Sequence, residues 1–231
     1  TLAEDQVGPD LGETDTGDPA ELVRFLSWAA SAYPAEHYAL VLWNHGTGWK
    51  EEDIYHGVRG PARSRAGALV GTGALARDLR RKARRPPLFV SSLGAILARG
   101  IGYDDTSCDF LDNAELKSAL RCGLLGGGME RLAVLGFDAC LMSMLEVAYQ
   151  LRDASRYLVA SQETEPAQGW PYAQILGPLT SDPGMSPEAL SALIVKAYLS
   201  SYGAGEQLTQ AALDLSQMPE VASALDALCG Y

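Results

Sequence analysis

The chain has 231 residues, 47% of them hydrophobic and 20% charged, an ordinary soluble globular composition whose length suits one large α/β domain or two small ones. A net charge of -11 excludes nonspecific binding to nucleic acid or to an anionic membrane surface, and suits basic peptides or cations as partners. No run of 18 apolar residues is present, so no segment reads as a membrane-spanning helix.

Residues 1–18 are polar and rich in Gly, Asp and Thr, and predict an extended entry. Asp18-Pro19 then opens a helix, with Asp18 as N-cap, Pro19 at the first helical position and Glu21 in the first turn. Leu22, Phe25, Leu26 and Ala29 form its apolar stripe, and Pro34 ends it. Residues 38–43, YALVLW, predict a buried parallel strand closed by the Gly-rich loop Asn44-His45-Gly46-Thr47-Gly48. Residues 53–73 lack periodicity and read as a surface loop. A basic helix over 74–85 follows, stopped by Pro86-Pro87, with a short strand at 88–92.

GIGYDDTS, residues 100–107, reads as a turn with paired carboxylates. Asp112 caps the next helix, with Glu115 completing a capping box and Leu116, Leu120 and Leu124 on its buried face. Residues 132–146, LAVLGFDACLMSMLE, predict a buried strand ending at Asp138-Ala139-Cys140 and a helix starting immediately after it. A strand over 157–161, a helix opened by Ser186-Pro187, a strand within 207–215 and a final helix over Met218–Leu228 complete the pattern. Strands alternating with helices imply a parallel-type sheet covered on both faces.

Two of these strands end in a reactive residue followed by flexible chain. If they are neighbours in a parallel sheet, His45 and Cys140 face one cleft at its C-terminal edge, where reacting groups collect in open α/β sheets. A helix starting at Cys140 would favour its thiolate. An imidazole beside a thiolate sets the protonation of the nucleophile and then protonates the leaving amine. Gly46 allows close backbone approach, and the Gly46 and Cys140 N–H groups could meet an oxyanion. A buried cysteine is more often simply an apolar packing group, and a histidine after a strand more often a cap or surface residue. The spacing of the four cysteines, Cys108, Cys122, Cys140 and Cys229, matches neither a zinc site nor a dense disulfide framework, which leaves room for two disulfides at most.

In this order, WNHGTGW, GIGYDDTS, GFDACLMSMLEVAYQLRD and ASQETEPAQGWPY resemble the clostripain family of cysteine peptidases, whose relatives in fold include caspases, legumain and gingipains. The segment ETDTGDPAELVRFLSWAASAYPAEHYALVLW resembles the family's helix and strand before the histidine. The resemblance covers residues 12–49, 100–180 and, more weakly, 205–228. It implies one caspase-like α/β domain over residues 1–231, a three-layer sandwich with a mostly parallel sheet and helices on both faces. It also implies a Cys–His dyad, with Cys140 as nucleophile, His45 as acid/base and the Gly46 and Cys140 amides as oxyanion donors. Asp138 matches the carboxylate at the floor of the pocket for the residue before the scissile bond, which implies cleavage after Arg or Lys; a helix N-cap is the plainer role for it. Glu163 and Thr164 are further expected substrate-binding residues.

Two departures accompany the resemblance. An insert, residues 50–99, separates the histidine loop from YDDTS, and the family's first strand and helix have no counterpart here. The chain is therefore expected to be a fragment, or to meet a separate N-terminal polypeptide of the same precursor. The insert is a solvated basic segment or a processing linker; as a linker, Arg59, Arg63 or Arg65 is the expected site of self-cleavage. The resemblance further implies secretion or a cell-envelope location of bacterial type, although TLAEDQVGPD lacks the features of a signal peptide. It implies calcium as well, for which Asp104 and Asp105 are the candidate ligands, although no EF-hand glycine accompanies them. The alternatives are a catalytically inactive homologue that binds basic peptides in the same cleft and, more weakly, a flavodoxin-like binding domain, against which stands the absence of a phosphate-cradling glycine motif.

Overall fold

The computed structural model describes residues 11–48, 100–104, 106–203, 206 and 208–230. In chain order the elements are α1 (Pro19–Ala32), β1 (Ala39–Trp43), β2 (Ile101–Asp104), β3 (Asp109–Leu111), α2 (Asn113–Gly126), β4 (Leu132–Asp138), α3 (Leu145–Leu151), β5 (Ser155–Ala160), α4 (Tyr172–Ser181), α5 (Pro187–Ser201), β6 (Ala211–Asp214), a 3-10 turn (Leu215–Gln217) and α6 (Met218–Leu228). The loop, basic helix and strand expected between residues 53 and 92, with Arg59, Arg63 and Arg65, lie outside the described residues, as does Asp105.

Four strands make the central sheet in the order β1-β4-β5-β6, the first three parallel and β6 antiparallel to β5. Side chains alternate across it with the two-residue period of a strand. Leu135, Phe137, Leu158 and Ala160 join a core with Leu22, Leu26, Leu116, Leu120 and Val147 from α1, α2 and α3. Val134, Tyr157 and Val159 face the other way, onto Ile175 of α4 and Leu190, Ile194 and Tyr198 of α5. Helices on both faces of a mostly parallel sheet give the expected three layers. The β2–β3 hairpin stands apart from that sheet and adjoins the histidine loop through a bridge between Gly46 and Ile101.

Local signals explain most element ends. The Asp18 carboxylate accepts the Ala20 N–H at 2.9 Å, and Asp112 accepts the Ala114 and Glu115 N–H groups while Glu115 returns a bond to Asp112, a complete capping box. Ser186 caps α5 through the Ala189 N–H.

Five expectations change. Phe25 is 49% exposed and packs on Trp28, so the buried stripe of α1 runs through Leu22 and Leu26. Strand β1 is only half buried, with Trp43 70% exposed, because among the described residues it pairs on one side only. GIGYDDTS is strand β2 running into a turn, not a turn throughout. The helix after Cys140 starts at Leu145 rather than at once, leaving Cys140 in a turn. Helix α4 was not expected: it carries an internal Pro178 and buries only Ile175, so it shows little apolar periodicity to read. All four cysteines are free thiols.

Candidate active site

Parallel pairing of β1 with β4 aligns Trp43 with Asp138, so His45 and Cys140 each stand two residues past a matched pair of strand ends. Adjacent strands lie about 5 Å apart. The sheet thus brings an exposed imidazole and a partly buried thiol to one edge. Gly46 closes the space between the two loops: a Cβ there would fall 2.4 Å from the Cys140 carbonyl oxygen and 3.0 Å from the Ala139 side chain. Only glycine permits that approach. The bridge to the hairpin runs through the Thr47 N–H, which donates to the Gly100 carbonyl at 3.3 Å, so the Gly46 N–H is not spent on it.

The histidine loop is fastened by Asn44. Its side-chain amide docks on Tyr103 of β2 like a further strand residue, accepting the Tyr103 N–H at 3.1 Å and donating to the Tyr103 carbonyl at 3.2 Å. The same Oδ1 accepts the His45 N–H at 2.6 Å. Thr47 adds a hydroxyl contact to the Tyr103 phenol at 3.1 Å. Sequence reading placed Asn44 in the loop but gave it no role; the cue was an amide directly before the histidine. Asn44→Ala is expected to lower kcat about 10-fold to 100-fold with KM within about threefold, because a misplaced imidazole weakens the chemical step more than substrate binding. Steady-state kinetics on a peptide substrate check this.

The turn carrying Cys140 is held by the loop after β5. Leu141, at φ +63, gives its N–H to the Glu163 carbonyl at 3.1 Å, and Ser143 gives its N–H to the Ser161 carbonyl at 2.9 Å. A branched residue in the left-handed region stores strain, which the surrounding bonds sustain. The Glu165 N–H donates to Cys140 Sγ at 3.2 Å. With α3 starting only at Leu145, no helix end stands at the thiol. The sulfur is held instead by the Glu165 backbone, whose N–H donates to it and whose carbonyl stands 3.9 Å away as an acceptor for the thiol.

Below the thiol lies Asp138, 3% exposed. Its Oδ2 accepts the Trp170 N–H at 3.0 Å and the Tyr172 phenol at 2.8 Å, so it clamps the GWPY turn rather than capping a helix. Gly169 sits against that carboxylate at φ +64, and a Cβ there would lie 2.8 Å from Oδ2; both facts require glycine. Of the expected substrate-binding residues, Glu163 and Thr164 are exposed. The Glu163 N–H is held by the Ser161 and Thr209 hydroxyls, which fixes its backbone. The carboxyl that reaches Asp138 is Glu165, two residues on. Burial first, and the neighbouring Asp138 second, push the Glu165 carboxyl up to about 9. Burial likewise raises the Tyr172, Tyr198 and Tyr202 phenols, with Asp138 and Glu165 adding to it.

Asp104 sits apart from this site. Its Oδ2 accepts the Thr16 N–H and hydroxyl, and its Oδ1 accepts the Thr106 and Ser107 N–H groups. These donors, the Ser107 and Thr16 N–H groups foremost, hold its carboxyl below the usual range. Oxygens already filled by N–H donors do not fit a calcium ion. Among the described residues no group of three or more His, Cys, Asp or Glu side chains is placed to hold a metal.

Comparison with known proteins bears on the family and the fold. The sequence profile of the clostripain family matches residues 4–62 and 92–231. Clostripain of Hathewaya histolytica is 26% identical over 187 residues, which span 76% of this chain and 27% of that protein. A secreted C11 cysteine protease from Bacteroides thetaiotaomicron, solved with an irreversible peptide inhibitor, superposes with TM-score 0.57 at 22% identity, over 90% of this chain and 48% of that one. An inactive zymogen C11 protease from Parabacteroides distasonis superposes with TM-score 0.59 at 23% identity, over 94% of this chain and 45% of that one. The chain therefore spans about a quarter of the curated relative and about half of each solved structure. With the profile spanning most of its length and the fold shared, the chain belongs to the clostripain family of cysteine peptidases.

Proposed function

We propose that the chain is the catalytic part of a cysteine endopeptidase that cleaves peptide bonds after Arg or Lys. The observation that carries the proposal is the β1–β4 register, which stands His45 and Cys140 level at one sheet edge above the buried Asp138. In this reading the Cys140 thiolate attacks the scissile carbonyl carbon. The oxyanion that forms meets the Gly46 and Cys140 N–H groups. The His45 imidazolium then gives its proton to the leaving nitrogen as the C–N bond breaks. Water, deprotonated by the same imidazole, attacks the thioester and releases the new carboxylate. Asp138 receives the cationic side chain of the residue before the cut, since a partly dehydrated carboxylate pairs well with a guanidinium.

The proposal extends to maturation. Arg59, Arg63 and Arg65 are basic residues in the insert, so an enzyme of this specificity meets its own substrate there. Release outside the cell fits such a protease, and one of the matched structures is described as secreted.

The test is hydrolysis of fluorogenic peptides ending in Arg, Lys or Asp under reducing conditions, with intact-mass analysis of wild type and Cys140→Ala in parallel. Turnover of the Arg and Lys peptides, none of the Asp peptide, and cuts at the insert arginines in wild type only are the expected results. No turnover of any of the three would sink the peptidase reading and leave a cleft that binds basic peptides without cutting them. Equal cutting of the Cys140→Ala variant in a pure preparation would overturn self-processing.

A further inference from the structure

Two carboxyl groups, not one, lie next to each other near Cys140. Asp138 ends β4, and Glu165 reaches it from the loop after β5. Asp138 accepts two hydrogen bonds, whereas both Glu165 oxygens are buried and accept none. The indole N–H of Trp170 lies near Glu165 but outside good hydrogen-bond geometry, and the Tyr198 hydroxyl is likewise buried without a partner. Among the described residues, the titratable groups coupled to the pair are Cys140, the Tyr172 phenol of α4, the Tyr198 phenol of α5, and Tyr202 and Glu206 beyond it; none of these carries positive charge. Two buried carboxylates in contact without a cation cannot both stay ionised. One proton is therefore held by the pair, and it belongs on Glu165, whose two buried oxygens accept no hydrogen bond that would offset an ionised charge. The raised Glu165 carboxyl agrees with that assignment.

We propose that Asp138 and Glu165 exchange a proton for the substrate's cation, which makes Glu165 a second specificity-determining carboxylate, neutral in the empty pocket and ionised once a guanidinium lies against the pair. This rests on the preference for a basic residue proposed above. The step balances: a carboxyl pair holding one proton and an incoming guanidinium become two carboxylates, one guanidinium and a proton released to solvent. The unpartnered oxygens of Glu165 receive the donors they lack. A planar guanidinium spans two carboxylates with parallel bonds, whereas an ammonium is a point charge, so Arg gains more than Lys.

The experiment is calorimetric titration of the protein with n-butylguanidinium, a cation with no scissile bond, near pH 7 in buffers of different ionisation enthalpy. The expected result is release of about one proton per cation bound in wild type and almost none in Glu165→Gln. In kinetics, log KM for an Arg peptide should fall by about one unit per pH unit from about pH 6 to 8 in wild type and stay flat in Glu165→Gln. The wild-type release needs no variant to be read, so poor folding of the substituted protein would not hide it. Binding without proton release overturns the exchange and leaves the basic pocket standing. No binding of the cation, together with cleavage of peptides lacking a basic residue, overturns both.

Discussion

Cys140→Ala is expected to lower kcat on an Arg peptide by about 10⁴-fold or more, and His45→Ala by about 10³-fold to 10⁴-fold, with KM nearly unchanged for both. In the proposed mechanism, the first change removes the sulfur that forms the thioester. The second leaves a thiol with no imidazole to accept its proton or to serve the leaving amine. The two act as one unit, so the double variant should be no slower than Cys140→Ala alone. Neither should unfold the protein. His45 is exposed at the sheet edge, and the Cys140 sulfur makes only weak contacts with the Glu165 backbone, accepting its N–H and donating to its carbonyl. Burst and steady-state kinetics on one fluorogenic substrate, with circular dichroism to verify folding, give the answer. A His45→Ala variant that retains full kcat would remove the imidazole from the mechanism.

Asp138→Asn is expected to cut kcat/KM for Arg peptides by about 10²-fold to 10³-fold, the loss that follows from removing one charge-assisted pair in a dehydrated pocket. The amide preserves the shape and keeps one oxygen to accept the Trp170 N–H and Tyr172 O–H, so the GWPY turn should hold. Cleavage after uncharged Gln should change far less, and the measured quantity is the Arg-to-Gln ratio of kcat/KM. If both substrates lose rate equally, Asp138 serves the turn and not the cation. The same variant also isolates Glu165: with an amide beside it, that carboxyl no longer has a charged neighbour raising its proton affinity, and burial alone remains to do so.

Much of the sheet was legible because its strands are short apolar runs closed by flexible residues. LAVLGFD and its Asp138 end match β4 residue for residue. Capping chemistry was equally readable, since Asp18, Asp112 and Ser186 act within a few residues of themselves. The failures have long-range causes. Nothing local reports that β1 pairs on one side among the described residues or that Phe25 faces outward. The expected helix at Cys140 was read from apolar spacing, which continues through a turn that Leu141 makes at positive φ. At the site, Cys140, His45, Gly46 and Asp138 come together because the strand ends are in register. Choosing Glu165 over Glu163 required knowing which side of the loop faces inward, and ETE offers both carboxylates with only a threonine between them.

The bond from Thr47 to the Gly100 carbonyl is one of several non-covalent contacts that join the described residues on either side of 49–99. Segment 11–48 supplies α1, β1 and the histidine; segment 100–203 supplies the hairpin, the cysteine and the acidic floor. They meet along the β1–β4 ladder, at the docked Asn44 and where α1 lies on α2. The histidine and the cysteine thus come from distant parts of the chain, and the ladder, the docked amide and the helix pair set the distance between them.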